Sequence, residues 1–106
     1  MGDDSDVRSK VISEFCGMKI DMDYALCCPS VHAVCGAEEA IVSLDETVRE
    51  KSSGFPDKQL KLLIKWVALH RDAIINNHAK CNHSENPDAV RPLTKAQIIK
   101  IKLGLL

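Results

Sequence analysis

Residues 56–81, PDKQLKLLIKWVALHRDAIINNHAKC, decide the fold, because no other segment is long and periodic enough to anchor a core by itself. At about 100° per residue, Leu60, Leu63, Ile64, Val67, His70, Ile74 and His78 fall on one side, with Trp66 and Ala73 at its edge. The pattern predicts one long amphipathic helix over residues 57–78. Leu62 and Leu69 widen the apolar arc beyond a coiled-coil seam, so the helix needs a broad surface to lie on, such as a sheet face. They are also the residues expected to meet a partner protein. Lys61, Lys65, Ala68, Asp72 and Asn76 form the solvated side, and Asp57 suits the positive end of the helix dipole.

The surface for that helix comes from upstream. Met18, Ile20, Met22 and Tyr24 alternate with Lys19, Asp21 and Asp23, which predicts a strand with one apolar and one charged face. Phe15 lies on the other parity, and a bulge at Cys16 and Gly17 would return it to the buried side. Residues 31–35 and 39–44 read as a hairpin about Gly36, with Ala40, Val42 and Leu44 opposite Glu39, Ile41 and Ser43. Residues 47–51 are polar enough for an edge strand. The expected fold is therefore α+β: a small antiparallel sheet of three or four strands packed against one long helix. Its core is expected to include Met18, Ile20, Met22, Val42, Leu63, Trp66, Val67 and Ile74. Thr94 and Gln97 spell a capping box for a short C-terminal helix over residues 95–103, although Ile98, Ile99, Ile101 and Leu103 also permit a strand.

A chain of 106 residues suffices for one domain that buries roughly two-thirds of its potential surface. The expected division is a flexible acidic N-terminus over residues 1–10, a domain over 11–93 and a C-terminal extension over 94–106. Fourteen basic against fifteen acidic residues give a net charge of −1, which excludes a general attraction to polyanions. The charged start is unlike a signal peptide, and no stretch approaches the ~18 apolar residues of a membrane span. The expectation is a cytoplasmic protein without membrane contact.

Five cysteines and four histidines raise the question of a metal. Cys28, His32, Cys35, Cys81 and His83 supply soft ligands, yet the spacing of C-C-x3-H-x2-C followed by C-x-H fits no standard zinc template. Reduced cysteines acting as small hydrophobes are the simpler reading, and Cys16 and Cys27 fall under it as well. His70 lies within the apolar arc, where a neutral core histidine is the ordinary outcome. A catalytic reading would bring it beside His32 and Arg71 for proton transfer or anion contact. No phosphate loop, dinucleotide fingerprint, zinc-protease motif or nucleophile elbow is present, so no cofactor is expected.

The segments ISEFCGMKI (residues 12–20), PSVHAVCG (29–36), EAIVS (39–43) and the helix signature WVALHR (66–71) occur in an order that closely resembles the bacterial domain of unknown function 4160 family. The resemblance runs from about Val11 to Leu93. It departs where the family's paired prolines and first histidine stand, since this chain has Cys28, Pro29, Ser30 and His32. The resemblance implies one component of a bacterial two-gene pair of toxin–antitoxin type, with a partner from the domain of unknown function 2442 (DUF2442) family. Three function classes follow: a small protein-interaction or self-associating module, a nucleic-acid-binding regulator or RNA-directed toxin, and a metal-dependent or catalytic domain. The first is favoured, and an enzyme is the lesser expectation. Lys58, Lys61, Lys65, Arg71, Lys95, Lys100 and Lys102 motivate the second class.

Overall fold

At Cys16 and Gly17 the chain reverses instead of bulging. Both residues have positive φ, 52° and 78°, the combination a tight type I′ hairpin turn demands, and Phe15 faces Met18 across it. The segment expected to be one bent strand is thus two, β1 (Val11–Phe15) and β2 (Met18–Met22). The computed structural model describes residues 10–23 and 29–106. The expectations for residues 1–9, Tyr24, Cys27 and Cys28 lie outside the described residues.

The sheet continues with β3 (Ser30–Cys35), β4 (Glu38–Ser43) and β5 (Val48–Lys51). Strand order follows the chain, and every neighbouring pair is antiparallel. The expectation of three or four strands is therefore corrected to a five-stranded antiparallel meander, the extra strand arising from the Cys16-Gly17 turn. Gly36, at φ 64°, supplies the positive φ for the next hairpin. Between β4 and β5, the Asp45 carboxylate accepts from the Ser43 hydroxyl and the Thr47 amide. These bonds hold the Asp45 carboxyl down at about 2, with the Ser43 hydroxyl contributing most.

The single long helix is also corrected. Residues 57–82 form two helices, α1 (Asp57–Leu69) and α2 (Arg71–Asn82), with His70 between them at φ −122°, ψ 32°. The His70 amide is shared between the Trp66 and Val67 carbonyls at 3.1 and 3.2 Å, and its carbonyl accepts from Ile74 at 3.0 Å. No glycine or proline marks this break, which is why periodicity missed it. A tertiary contact meets the chain there, since Arg71 Nη1 donates to the Leu44 carbonyl at 2.7 Å, while the His70 ring packs on Trp66 one turn back with centroids 5.5 Å apart. Helix propensity is only a weak local preference.

A third helix, α3 (Lys95–Lys102), begins at a complete capping box in which Thr94 and Gln97 exchange backbone-to-side-chain bonds. It ends on Gly104 at φ 76°, with Leu105 and Gly104 amides returning to Lys100 and Ile101 carbonyls in a Schellman pattern. The class remains α+β, with a sheet and three separate helices. No helix among the described residues is long and apolar enough to cross a membrane.

One sheet face and the helices share a single core. Ile20, Val31, Ala33, Ala40 and Val42 point toward Leu63, Trp66, Val67 and Ile74, and Met18 and Met22 complete the apolar rows. Trp66 is fully buried, tilted against Phe15 with ring centroids 5.8 Å apart. Its indole Nε1 donates to the Arg91 carbonyl at 2.8 Å. That bond ties the segment after Pro87 to α1, while the Val90 amide donates to Ile12 on the outer edge of β1 at 2.7 Å. Asn77, buried on α2, grips the same segment from the other side by accepting from the Asp88 amide and donating to its carbonyl, at 2.8 and 2.9 Å.

Replacing Trp66 with alanine removes the largest core side chain and the bond to Arg91 together. Chemical denaturation should show a loss of roughly 3–5 kcal/mol relative to the parent. An unchanged denaturation midpoint and slope would remove Trp66 from its central place.

Candidate functional site

Strand alternation, which sends Ile20, Ala33 and Ala40 into the core, sends Asp21, His32 and Glu39 to the opposite face. Register then decides who meets. Asp21 stands directly opposite His32, and Glu39 pairs with Val34, which places it diagonally from His32. The imidazole lies between the two carboxylates: Nδ1 is 2.8 Å from Asp21 Oδ1, and Nε2 is 2.7 Å from Glu39 Oε1. When both carboxylates are ionised, this arrangement suits the imidazolium form, in which each ring nitrogen can donate.

The electrostatics of the group are divided. Burial is the largest influence on His32 and by itself favours the neutral ring, but the hydrogen bonds and charges of Glu39 and Asp21 together outweigh it and raise the pKa above the ordinary 6.5. Burial is also the largest influence on Asp21, and it raises that carboxyl above 3.8 despite the opposing bond to His32. Asp21 is the enclosed partner; Glu39, at 62% exposure, is the solvent-screened one.

Beside it lies a recess of about 500 Å³ whose walls include His32, Glu39, Ile41, Glu50, Lys51 and Ser52. The serine hydroxyl accepts from the Glu39 amide at 3.0 Å, which steadies that side of the recess. The recess is lined by two carboxylates, Glu39 and Glu50, together with the His32 imidazole and the Lys51 ammonium.

The other candidates from sequence are dispersed. His70 belongs to the helical layer, so the sheet lies between it and His32. Its Nε2 is buried with no hydrogen-bond partner among the described residues, and burial lowers its pKa below 6.5. Arg71 is committed to the Leu44 carbonyl. His32, His70 and Arg71 therefore do not form one acid–base site.

Cys35 and Cys81 are half-buried against the core, whereas His83 is exposed at the end of α2. Cys28 lies outside the described residues. Among the described residues, no group of three or more histidine, cysteine, aspartate or glutamate side chains is arranged to hold a metal ion. Of the two leucines read as contacts, Leu62 is buried and Leu69 is 42% exposed. Sequence reasoning did not single out Asp21 and Glu39 as partners of His32. Their signal was present in the alternation of charged residues, but pairing them needed the register. Asn77 was missed because nothing local marks an asparagine as buried.

A family model described as Domain of unknown function (DUF4160) matches residues 20–78. That span contains the His32 group and most of α1 and α2, and leaves out β1, the segment after Pro87 and α3. No curated protein and no solved structure matches the chain.

The two histidines should titrate on opposite sides of 6.5 in a proton NMR titration, His32 above and His70 below. Their contributions to stability have opposite signs. For His32, stability is fully present below the unfolded value and is lost as pH rises through the higher folded value; for His70, it is present above the unfolded value and lost as pH falls through the lower folded one. Substituting Glu39→Gln should bring the His32 midpoint down. A midpoint unmoved by that change would contradict the geometry.

Proposed function

We propose that this chain, which belongs to the family described as Domain of unknown function (DUF4160), is a small protein-interaction module that docks its partner through the outer surface of the helical layer. The observation that carries this reading is the distribution of exposed apolar side chains. Among the described residues, Leu69, Ile75, Ile99, Leu103, Leu105 and Leu106, 39–70% exposed, belong to the helices or to the chain beyond them, while Val11, 43% exposed, lies at the start of β1. Scattered apolar residues are ordinary on a protein surface, so their concentration on one layer is the informative point.

Three helices presenting such residues, Leu69 on α1, Ile75 on α2 and Ile99 on α3, offer the elements that helix-in-groove recognition uses. A bacterial two-gene pair of toxin–antitoxin type, with a DUF2442-family partner, would give this surface its occupant. A nucleic-acid-binding role is the second reading. It draws on residues 89–106, where Arg91, Lys95, Lys100 and Lys102 occur without a carboxylate. A protein partner accounts for the exposed leucines as well as the charges, and is preferred for that reason.

Chemical cross-linking in the native cell, followed by sedimentation of the purified protein, tests the reading. The parent should form a discrete cross-linked pair, and the double substitution Leu103→Ser, Leu105→Ser should lose it while leaving the unfolding transition in place, because both leucines are exposed. A parent that remains an uncross-linked monomer would reject the module. Binding to nucleic acid that falls steeply with salt and ignores the leucine changes would favour the second reading.

A further inference from the structure

Between α1 and α3 runs a groove of about 360 Å³ whose floor is closed by Leu62 and Ile101 and which Lys58, Lys61 and Lys102 line as well. Both floor residues are largely buried by the fold, at 4% and 1% exposure, so the apolar base is part of the core seen through an opening. The lysines are exposed. Among the described residues, the ion pairs are those of His32 and of Lys80 with Asp88, and none involves these three ammonium groups.

We propose that this groove takes an acidic amphipathic helix of a protein partner, its apolar side chains entering toward Leu62 and Ile101 and its carboxylates meeting the lysines. The proposal rests on the docking reading above and specifies the chemistry of the partner. Charge complementarity selects an acidic occupant, since like charges set against one another on docking would be repulsive. The apolar floor selects a segment with hydrophobic anchors at helical spacing, because a sugar–phosphate backbone has no group to fill it. Nucleic-acid single strands favour aromatic platforms, and among the described residues Phe15, Phe55 and Trp66 are all buried. A bilayer is a broad, nearly flat surface, whereas this site is a recess that receives a projecting side chain. Leu103 and Leu105, one and three residues after Lys102 in the chain, are 67% and 70% exposed.

The probe is a fluorescently labelled helical peptide with leucines on one face and glutamates on the other, compared with the same peptide carrying lysines for glutamates. Fluorescence polarisation at low salt should give micromolar binding of the glutamate peptide and none of the lysine peptide. Charge reversal by Lys61→Glu and Lys102→Glu should weaken the glutamate peptide by about tenfold or more. These positions are exposed, and an unchanged far-ultraviolet circular dichroism spectrum will identify a folded variant. Equal binding of both peptides, or an affinity untouched by the reversal, would overturn the proposal. So would tighter binding of phosphatidylserine vesicles or single-stranded RNA that the same reversal abolishes, since the occupant would then belong to another class. If the cellular cross-link persists and its leucine dependence holds while the acidic peptide fails to bind, this proposal falls and the docking reading stands. If the cross-link is absent as well, both fall.

Discussion

The indole of Trp66 joins three parts of the chain that no local interaction would bring together. Its ring rests among the sheet's apolar rows and against Phe15, while its Nε1 donates to Arg91 beyond α2. Burying a tryptophan removes some 150–250 Å² from water, worth about 4–6 kcal/mol at the usual area coefficient. The hydrogen bond matters for a different reason. A buried indole N–H without an acceptor would cost about 1–3 kcal/mol, so the ring's burial depends on the Arg91 carbonyl being held in place. Asn77 and Ile12 hold that segment on either side through Asp88 and Val90. Packing and polar satisfaction therefore support one another.

This join also positions the surface assigned to docking. The segment after Pro87 leads directly to Thr94, whose capping box starts α3, and α3 places Ile101 and Lys102 beside α1. The groove consequently depends on Trp66 without containing it. The His32 group is built independently, from three strands on the other sheet face, and its geometry depends on strand register. The two sites thus respond to different disturbances: loss of the Trp66 join should open the helical layer, whereas a register change should separate His32 from its carboxylates.

Much of the sheet was legible because its rules are local. Alternation placed Met18, Ile20 and Met22 together, and a strand period of two separated Asp21 from them. The count of strands failed at one residue pair: Cys16 adopts the positive φ usually left to glycine or asparagine, so a hairpin read as a bulge. The helix break at His70 was illegible for a related reason. Every residue from Lys65 to Asp72 accepts helical geometry, and the contact from outside the helix that meets the break, Arg71 on the Leu44 carbonyl, is invisible to periodicity. Of the candidate site, His32 was visible as a residue type, but its partners emerged only when cross-strand pairs were known. The lysine-rimmed groove requires two helices with residues 70–94 between them, a relation that helical periodicity within either one cannot express.

Hydrogen exchange followed by NMR tests the Trp66 join most directly, by comparing the Trp66 indole N–H and the Val90 amide with backbone amides of β2 and β3. If the join holds the domain together, both should exchange only through the global opening that releases the central strands, with the same free energy and the same denaturant dependence. If they exchange through a small local opening while β2 and β3 stay protected, the segment after Pro87 is a loosely attached appendage, and the account of the fold as organised through Trp66 is wrong.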